Sequence, residues 1–451
     1  MPPVIAPASA VPSSSAPAAP RAVRAGAWPA AVWALLIGTF AVRAAGFVYP
    51  YLAYHLSARE VAAQTTTLIL ALFGAGWLAG QLVCGVLADR IGRRATLAGA
   101  MATAAITFTV LAQSHTVVSL SAASFVAGLV YDSPRPIVSA VIAETVPDEP
   151  TRARVAGWRH FATNLGATTT GAVGGALAAP LGFPALFLFN AAVCAVFAFI
   201  ALKAVSPRAH RTSTAGPSGS YRAAFGDIRL ILLWLASVCA FVPVTALFSV
   251  LPLMMSEDGL PASAYGWAQA AGAAAVLILS PLMNGWLARR AAGPSPMVGL
   301  LAAGAVVLGA GMGSAGFAST PTGYAAAVVL AVPGEIVAFV AAADVLNRIS
   351  PSHSLGLYAG IGGTALATAV LLAPLLAGWC LATGGHLLVS LALTSCGLAG
   401  AAACRPLKAL TSPPCPPRTP DSPGAPSAPL WRASSPPTRS SSRTQMPPTG
   451  R

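Results

Sequence analysis

Four ionisable side chains stand inside long apolar stretches: Arg43, Asp132, Arg135 and Glu335. Burying a charge in hydrocarbon costs at least about 2.5 to 3.5 kcal/mol on insertion scales, so such groups persist where they pair or act. Asp132 and Arg135, three residues apart, share one helical face and partly neutralise each other. Arg43 is a second candidate partner, whereas Glu335 has no basic neighbour along its own stretch. Burial favours the neutral form of a carboxyl, which suits a group that takes up a proton on one side and releases it on the other. Asp132 or Glu335 would then carry the proton, with Arg135 and Arg43 re-pairing with whichever carboxylate is empty. A structural ion network that locks the helices together is the alternative for the same residues. Pro134 and Pro136 remove backbone donors beside the pair and predict a bend there.

The elements that must position these groups are membrane helices. Of 451 residues, 56% are hydrophobic and 8% charged, where ordinary globular chains carry about 25% charged residues. Mean hydropathy is +0.71. A spanning helix needs about 20 mostly apolar residues, and the region 28–404 divides into twelve such segments: 29–55, 63–88, 95–114, 117–145, 155–179, 182–204, 228–254, 262–288, 296–318, 322–349, 356–381 and 385–404. The fold class expected is therefore all-α and integral to a bilayer. Arg43, Asp132 and Glu335 fall near the middle of the first, fourth and tenth segments. The polar stretch 205–227 divides the spans into an N-terminal bundle, 28–204, and a C-terminal bundle, 228–404. The leader 1–27 and the tail 405–451 are rich in Ala, Pro and Ser without apolar periodicity, so both are expected to be disordered.

Net charge is +14, from 26 Lys and Arg against 12 Asp and Glu. Nucleic acid is not the reason. With the amino terminus assigned to the cytoplasm, every Lys and Arg except Arg43, Arg59 and Arg135 falls on the cytoplasmic side, the asymmetry of the positive-inside rule. Both termini are then cytoplasmic and the membrane is the cell's plasma membrane. The 7 Cys show no CxxC spacing, so neither a disulfide framework nor a zinc site is indicated. No Walker sequence, nucleophile elbow or HExxH motif occurs, so no enzyme activity, cofactor or metal is implied.

The halves echo each other: Gly85–Arg90 (GVLADR) matches Gly285–Arg290 (GWLARR), and the Pro147 turn matches the Pro351 turn. Repeated halves around a midplane site are the architecture of alternating access. The run Gly85-Val-Leu-Ala-Asp89-Arg90-Ile-Gly92-Arg93-Arg94 resembles the signature loop of the major facilitator superfamily. By that resemblance the fold is two pseudo-symmetric six-helix bundles, and Gly85, Asp89, Arg90, Gly92, Arg93 and Arg94 form a conformational latch on the cytoplasmic face. The second-half copy has Arg289 where the Asp would stand, which makes the latch asymmetric.

Further matches, Asp132-Ser-Pro-Arg135-Pro136, Asn164-Leu-Gly166 with Gly171-Ala-Val-Gly174-Gly175, and Pro333-Gly334-Glu335, resemble the drug:proton antiporter branch. Ala172 stands where that branch usually has Pro, although Pro374 in the eleventh segment fits. The resemblance implies helix packing at Gly166, Gly171, Gly174, Gly175 and Pro374. It also places segments 1, 4, 7 and 10 around a central cavity, which Phe241, Phe248 and Tyr358 would line with aromatic surface. The partners expected are protons, a small-molecule substrate and lipid, with no nucleic acid and with the protein as a monomer. Proton-driven export of amphiphilic molecules is the first reading of function. A metabolite or sugar symporter is the second, and a non-transporting sensor or scaffold the third.

Overall fold

The computed structural model describes residues 28–132, 134–146, 148–205, 221–351 and 354–411. The N-terminal half comprises α1 (Ala30–Ala44), α2 (Val48–Ser57), α3 (Ala63–Ile91), α4 (Arg93–Gln113), α5 (Val117–Tyr131), α6 (Pro134–Thr145) and α7 (Glu149–Ala204). After α8 (Tyr221–Gly226) the second half follows as α9 (Ile228–Ser249), α10 (Leu251–Glu257), α11 (Ala262–Ala291), α12 (Val298–Gly313), α13 (Pro321–Ile349) and α14 (Leu355–Thr411). Helix starts carry the side-chain acceptors that satisfy free backbone donors: Thr116 for α5, Asp148 for α7, Asp227 for α9 and Thr320 for α13.

Among the described residues, ten helical stretches are long and apolar enough to cross a membrane. Two of them, within α7 and α14, run for 51 and 55 residues, far more than the roughly 20 that one crossing requires. Each folds back on itself at a glycine with left-handed backbone, Gly182 (φ 76°) in α7 and Gly385 (φ 60°) in α14. A side chain at either position would be strained. Each therefore supplies two passes, and the described chain crosses twelve times, six in each half. The last pass continues to Thr411, past the boundary expected at 404. The expected disordered leader, most of the central loop (206–220) and the tail from 412 lie outside the described residues.

Successive passes alternate in direction, which puts residues 30, 92, 148, 292, 350 and 411 on one face, called here the terminal face. Residues 58, 115, 182, 259, 319 and 385 lie on the opposite face. Contacts on each face agree with this assignment: Arg59 donates to the Ala112 carbonyl at 2.9 Å on the opposite face, and Arg348 donates to the Gly293 carbonyl at 2.9 Å on the terminal face. Within the halves, α3 packs on α5, α1 and α4 on α7, and α9 and α12 on α14. The halves meet along two seams, α3 against α14 and α7 against α11.

Both seams are closed towards the opposite face. A Cβ added to Gly378 of α14 would lie 2.6 Å from Thr67 Oγ1 of α3, and one added to Gly175 of α7 would lie 3.0 Å from the Gly266 Cα of α11. Across the halves the Tyr54 hydroxyl also donates to the Leu260 carbonyl at 3.5 Å. Towards the terminal face the same helix faces have separated. Gly85, Gly157 and Gly360 would meet nothing within 4 Å, and Leu82, Val86, Trp158 and Phe161 are exposed. The molecule is sealed at one face and open at the other.

Candidate functional site

Two crossing helices of the N-terminal half are interrupted at mid-depth, and the interruptions face each other. The first pass breaks between α1 and α2 at residues 45–47, which leaves Arg43 in the last turn of α1. There a cation complements the negative end of the helix dipole. The fourth pass breaks after α5, where Asp132 is the C-terminal cap and Pro134 opens α6. The bend expected from Pro134 and Pro136 is thus a full break. A carboxylate at a helix C-terminus is disfavoured by the same dipole, and guanidinium groups offset it from both sides. Arg43 Nη2 lies 3.7 Å from Asp132 Oδ1, and Arg135 Nη1 lies 3.1 Å from Oδ2. Arg43 also donates to the Tyr131 hydroxyl at 3.2 Å and lies over its ring. The Asp132 side chain is 9% exposed, that of Arg43 30% and that of Arg135 56%.

A third guanidinium joins this group, from a residue whose charge topology alone had explained. Arg159 of α7 donates to the Arg135 carbonyl at 3.4 Å and to the Ser139 hydroxyl. Arg159 precedes Gly166 by seven residues, two turns along the same helix face, and Gly166 packs on Arg43 and Ala44 of α1. Towards the opposite face the group is roofed by rings of both halves, with Tyr49 stacked on Phe73 at 4.6 Å and Phe248 at 5.4 Å from Tyr49.

In the C-terminal half Glu335 lies on α13, half-buried, and no hydrogen bond or ion pair reaches it among the described residues. Leu330, on the outward side of α13, is 60% exposed, and Glu335 lies about 140° round the helix from it at 3.6 residues per turn. One turn further on, Phe339 stacks on Phe241 of α9, centroids 4.5 Å apart. Glu335 therefore faces the interior of its half, beside an aromatic pair. The sequence singled out Phe241 but not Phe339, though its spacing of four from Glu335 places it on the same face.

The remaining candidates separate. Gly166 and Gly174 abut α1 and α2, with Cβ positions 2.7 Å from Arg43 Cβ and 2.8 Å from Phe47 Cδ1. Gly171 and Gly175 abut α11 across the seam. Pro374 is buried within α14. Tyr358 does not line an aromatic cavity with Phe241: it is buried near the terminal face, and its hydroxyl donates to Asp227 at 2.9 Å. Burial opposes the charge on Asp227, but hydrogen bonds from Arg229 and Tyr358 hold its carboxyl below the ordinary carboxylate range. In the latch sequence Gly85 faces open space, Gly92 turns the chain at φ 88°, and Arg90 is exposed. Arg94 is partly exposed, and Arg93 forms an ion pair with Glu144 of α6. The side chain of Asp89 lies outside the described residues.

Residues 31–374 match a family profile described as Major Facilitator Superfamily. Among solved structures, a peptide transporter described as "Crystal structure of peptide transporter POT in complex with sulfate" superposes with a TM-score of 0.69 over 85% of this chain and 96% of that one. The two are 16% identical, so the likeness concerns the fold. No curated protein sequence matches the chain significantly.

Proposed function

The chain belongs to the major facilitator superfamily, a multi-pass membrane transporter of twelve helices in two bundles, and we propose that within it the protein exports amphiphilic small molecules in exchange for protons. The observation that carries this reading is Glu335, an unpartnered carboxyl on the inward side of α13 next to the Phe241–Phe339 pair. A carboxyl with no fixed counter-ion is free to change its protonation as access alternates. Asp132, held between Arg43 and Arg135 at two helix breaks, is the second proton site, and interrupted helices are where transporters place their binding groups.

The terminal face is cytoplasmic in this reading. Arg90, Arg93, Arg94, Arg152, Arg154, Arg289, Arg290 and Arg348 lie at that face, against Arg59 at the other, which follows the positive-inside rule. The described conformation is then open inwards. Substrate enters from the cytoplasm or the inner leaflet, the halves rock, and Glu335 takes a proton from outside that it later delivers inside.

The test is Glu335→Gln in proteoliposomes bearing an imposed pH gradient. Gradient-driven movement of substrate is expected to cease while counterflow exchange continues. Coupling that survives the substitution removes Glu335 from the mechanism. A susceptibility panel in a pump-deficient host separates export from import: resistance lost with a protonophore supports export, and nutrient uptake supports a symporter.

A further inference from the structure

The charges that face the open cleft are unequally divided. Arg43 and Arg135 converge from α1 and α6 on a single described carboxylate, Asp132, and Arg159 of α7 lies alongside, donating to the Arg135 carbonyl. Both Asp132 oxygens are already engaged, Oδ1 by Arg43 and Oδ2 by Arg135. The other described acids of this half are occupied or distant. Glu144 pairs with Arg93, Asp148 caps α7, and Glu60 lies at the opposite face. Arg135 spends one donor on Asp132, yet its side chain is 56% exposed, and a guanidinium has five N–H donors in a planar fork. Such exposure into hydrocarbon would be costly. Arg135 stands between Asp132 and Arg159, on the side where the inner helices have parted from the other half, so its free donors face the cleft.

We infer that the transported amphiphile is an organic anion, its carboxylate, sulfonate or phosphate held by Arg135 and Arg159. A planar guanidinium matches such groups through two parallel hydrogen bonds. The apolar body of the molecule has the Phe241–Phe339 pair on the other half. A cationic substrate would find Asp132 buried and doubly paired and would have to rely on Glu335 alone.

This inference rests on the export reading for the identity of the site, but its test needs no gradient. Equilibrium binding to the purified full-length protein is measured with three radiolabelled probes that share one ring: naphthaleneacetate, its neutral amide, and a naphthylmethyl-trimethylammonium ion. The carboxylate is expected to bind about tenfold more tightly than the amide, a difference of about 1.4 kcal/mol. Arg135→Gln and Arg159→Gln should each reduce that ratio towards one while amide binding persists, which also reports that the variants are folded. Arg135→Lys should keep part of the preference. Tighter binding of the ammonium ion, equal binding of all three, or a ratio unchanged in both Gln variants overturns the inference. If the carboxylate binds as expected but no probe moves under a pH gradient, the export reading fails and the anion site stands. If the ammonium ion is pumped and the carboxylate does not bind, the reverse holds.

Discussion

Thr67 of α3 packs against Gly378 of α14, and five turns further along the same two helix faces Gly85 and Gly360 have nothing within 4 Å of their Cβ positions. The two helices touch near one face of the membrane and part near the other. Small residues at matched intervals along both allow either end to close, so the seam is built for two states.

Adding bulk should bias those states in opposite directions. Gly378→Val crowds the closed end, where overpacking costs about 1 to 3 kcal/mol, and should shift the population away from the described conformation. Gly85→Val costs nothing here and blocks closure of the other end. The readout is a disulfide between Ser57→Cys and Ser256→Cys, whose hydroxyl oxygens lie 3.3 Å apart across the halves. Cross-linking should be slower than in the parent with Gly378→Val and at least as fast with Gly85→Val, and both variants should transport poorly. Equal cross-linking rates in the two would show that the seam does not set the conformation.

The Arg43–Asp132–Arg135 group makes a separate prediction about stability. Removing one partner from a fully buried ion pair costs about 3 to 5 kcal/mol. Asp132→Asn and Arg43→Gln should each cost less than that: without the Asp132 charge the stranded Arg135 is largely exposed, and without Arg43 the carboxylate keeps Arg135 as its partner. Arg43→Gln with Asp132→Asn should recover part of the loss, since neither charge is then stranded. Thermal unfolding of the single and double variants gives the coupling energy, and strict additivity would mean that the 3.7 Å contact contributes nothing.

The twelve passes were legible because hydropathy and length alone specify a spanning helix, and each hairpin glycine, Gly182 and Gly385, is the first residue of a segment read as a separate span. The Asp132–Arg135 pair was legible from its spacing of three, although it forms across the break, with Asp132 capping α5 and Arg135 in the first turn of α6. The break at residues 45–47 contains Gly46 and is followed by Pro50 in the first turn of α2, a local signal that hydropathy and length alone pass over. What else the sequence did not show follows from tertiary packing. Arg159 resembles one more topogenic arginine until α7 is seen to cross α6. Tyr358 looked like a cavity aromatic because its partner, Asp227, lies 131 residues away.

Tyr358→Phe removes that hydrogen bond, and a bond to a charged acceptor is worth about 1.5 to 3 kcal/mol; at this partly solvated site the lower end is expected. Its pH dependence follows from Asp227, whose carboxyl is held below the ordinary range. A depressed acid stabilises the fold above its unfolded value, near 3.9, and that contribution is lost as pH falls through the folded value. The penalty of Tyr358→Phe should therefore be constant from about pH 5 to 8 and shrink only below about pH 4. A penalty that changes across neutral pH would exclude Asp227 as the partner.

Phe241 and Phe339 stack on each other but differ in what else they do. Phe241 is 5% exposed and fills the core of α9, whereas Phe339 is half-buried on the face that carries Glu335. Phe241→Ala should therefore cost about 3 to 5 kcal/mol of stability, as large buried rings do, and lower the unfolding temperature accordingly. Phe339→Ala loses mainly the ring pairing, about 0.5 to 1.5 kcal/mol, and should weaken binding of aromatic probes more than it weakens the fold. Thermal unfolding and probe affinity measured on the two variants separate these roles. If Phe339→Ala leaves affinity for the naphthalene probes unchanged, the pair belongs to the packing of the C-terminal half and not to the substrate path.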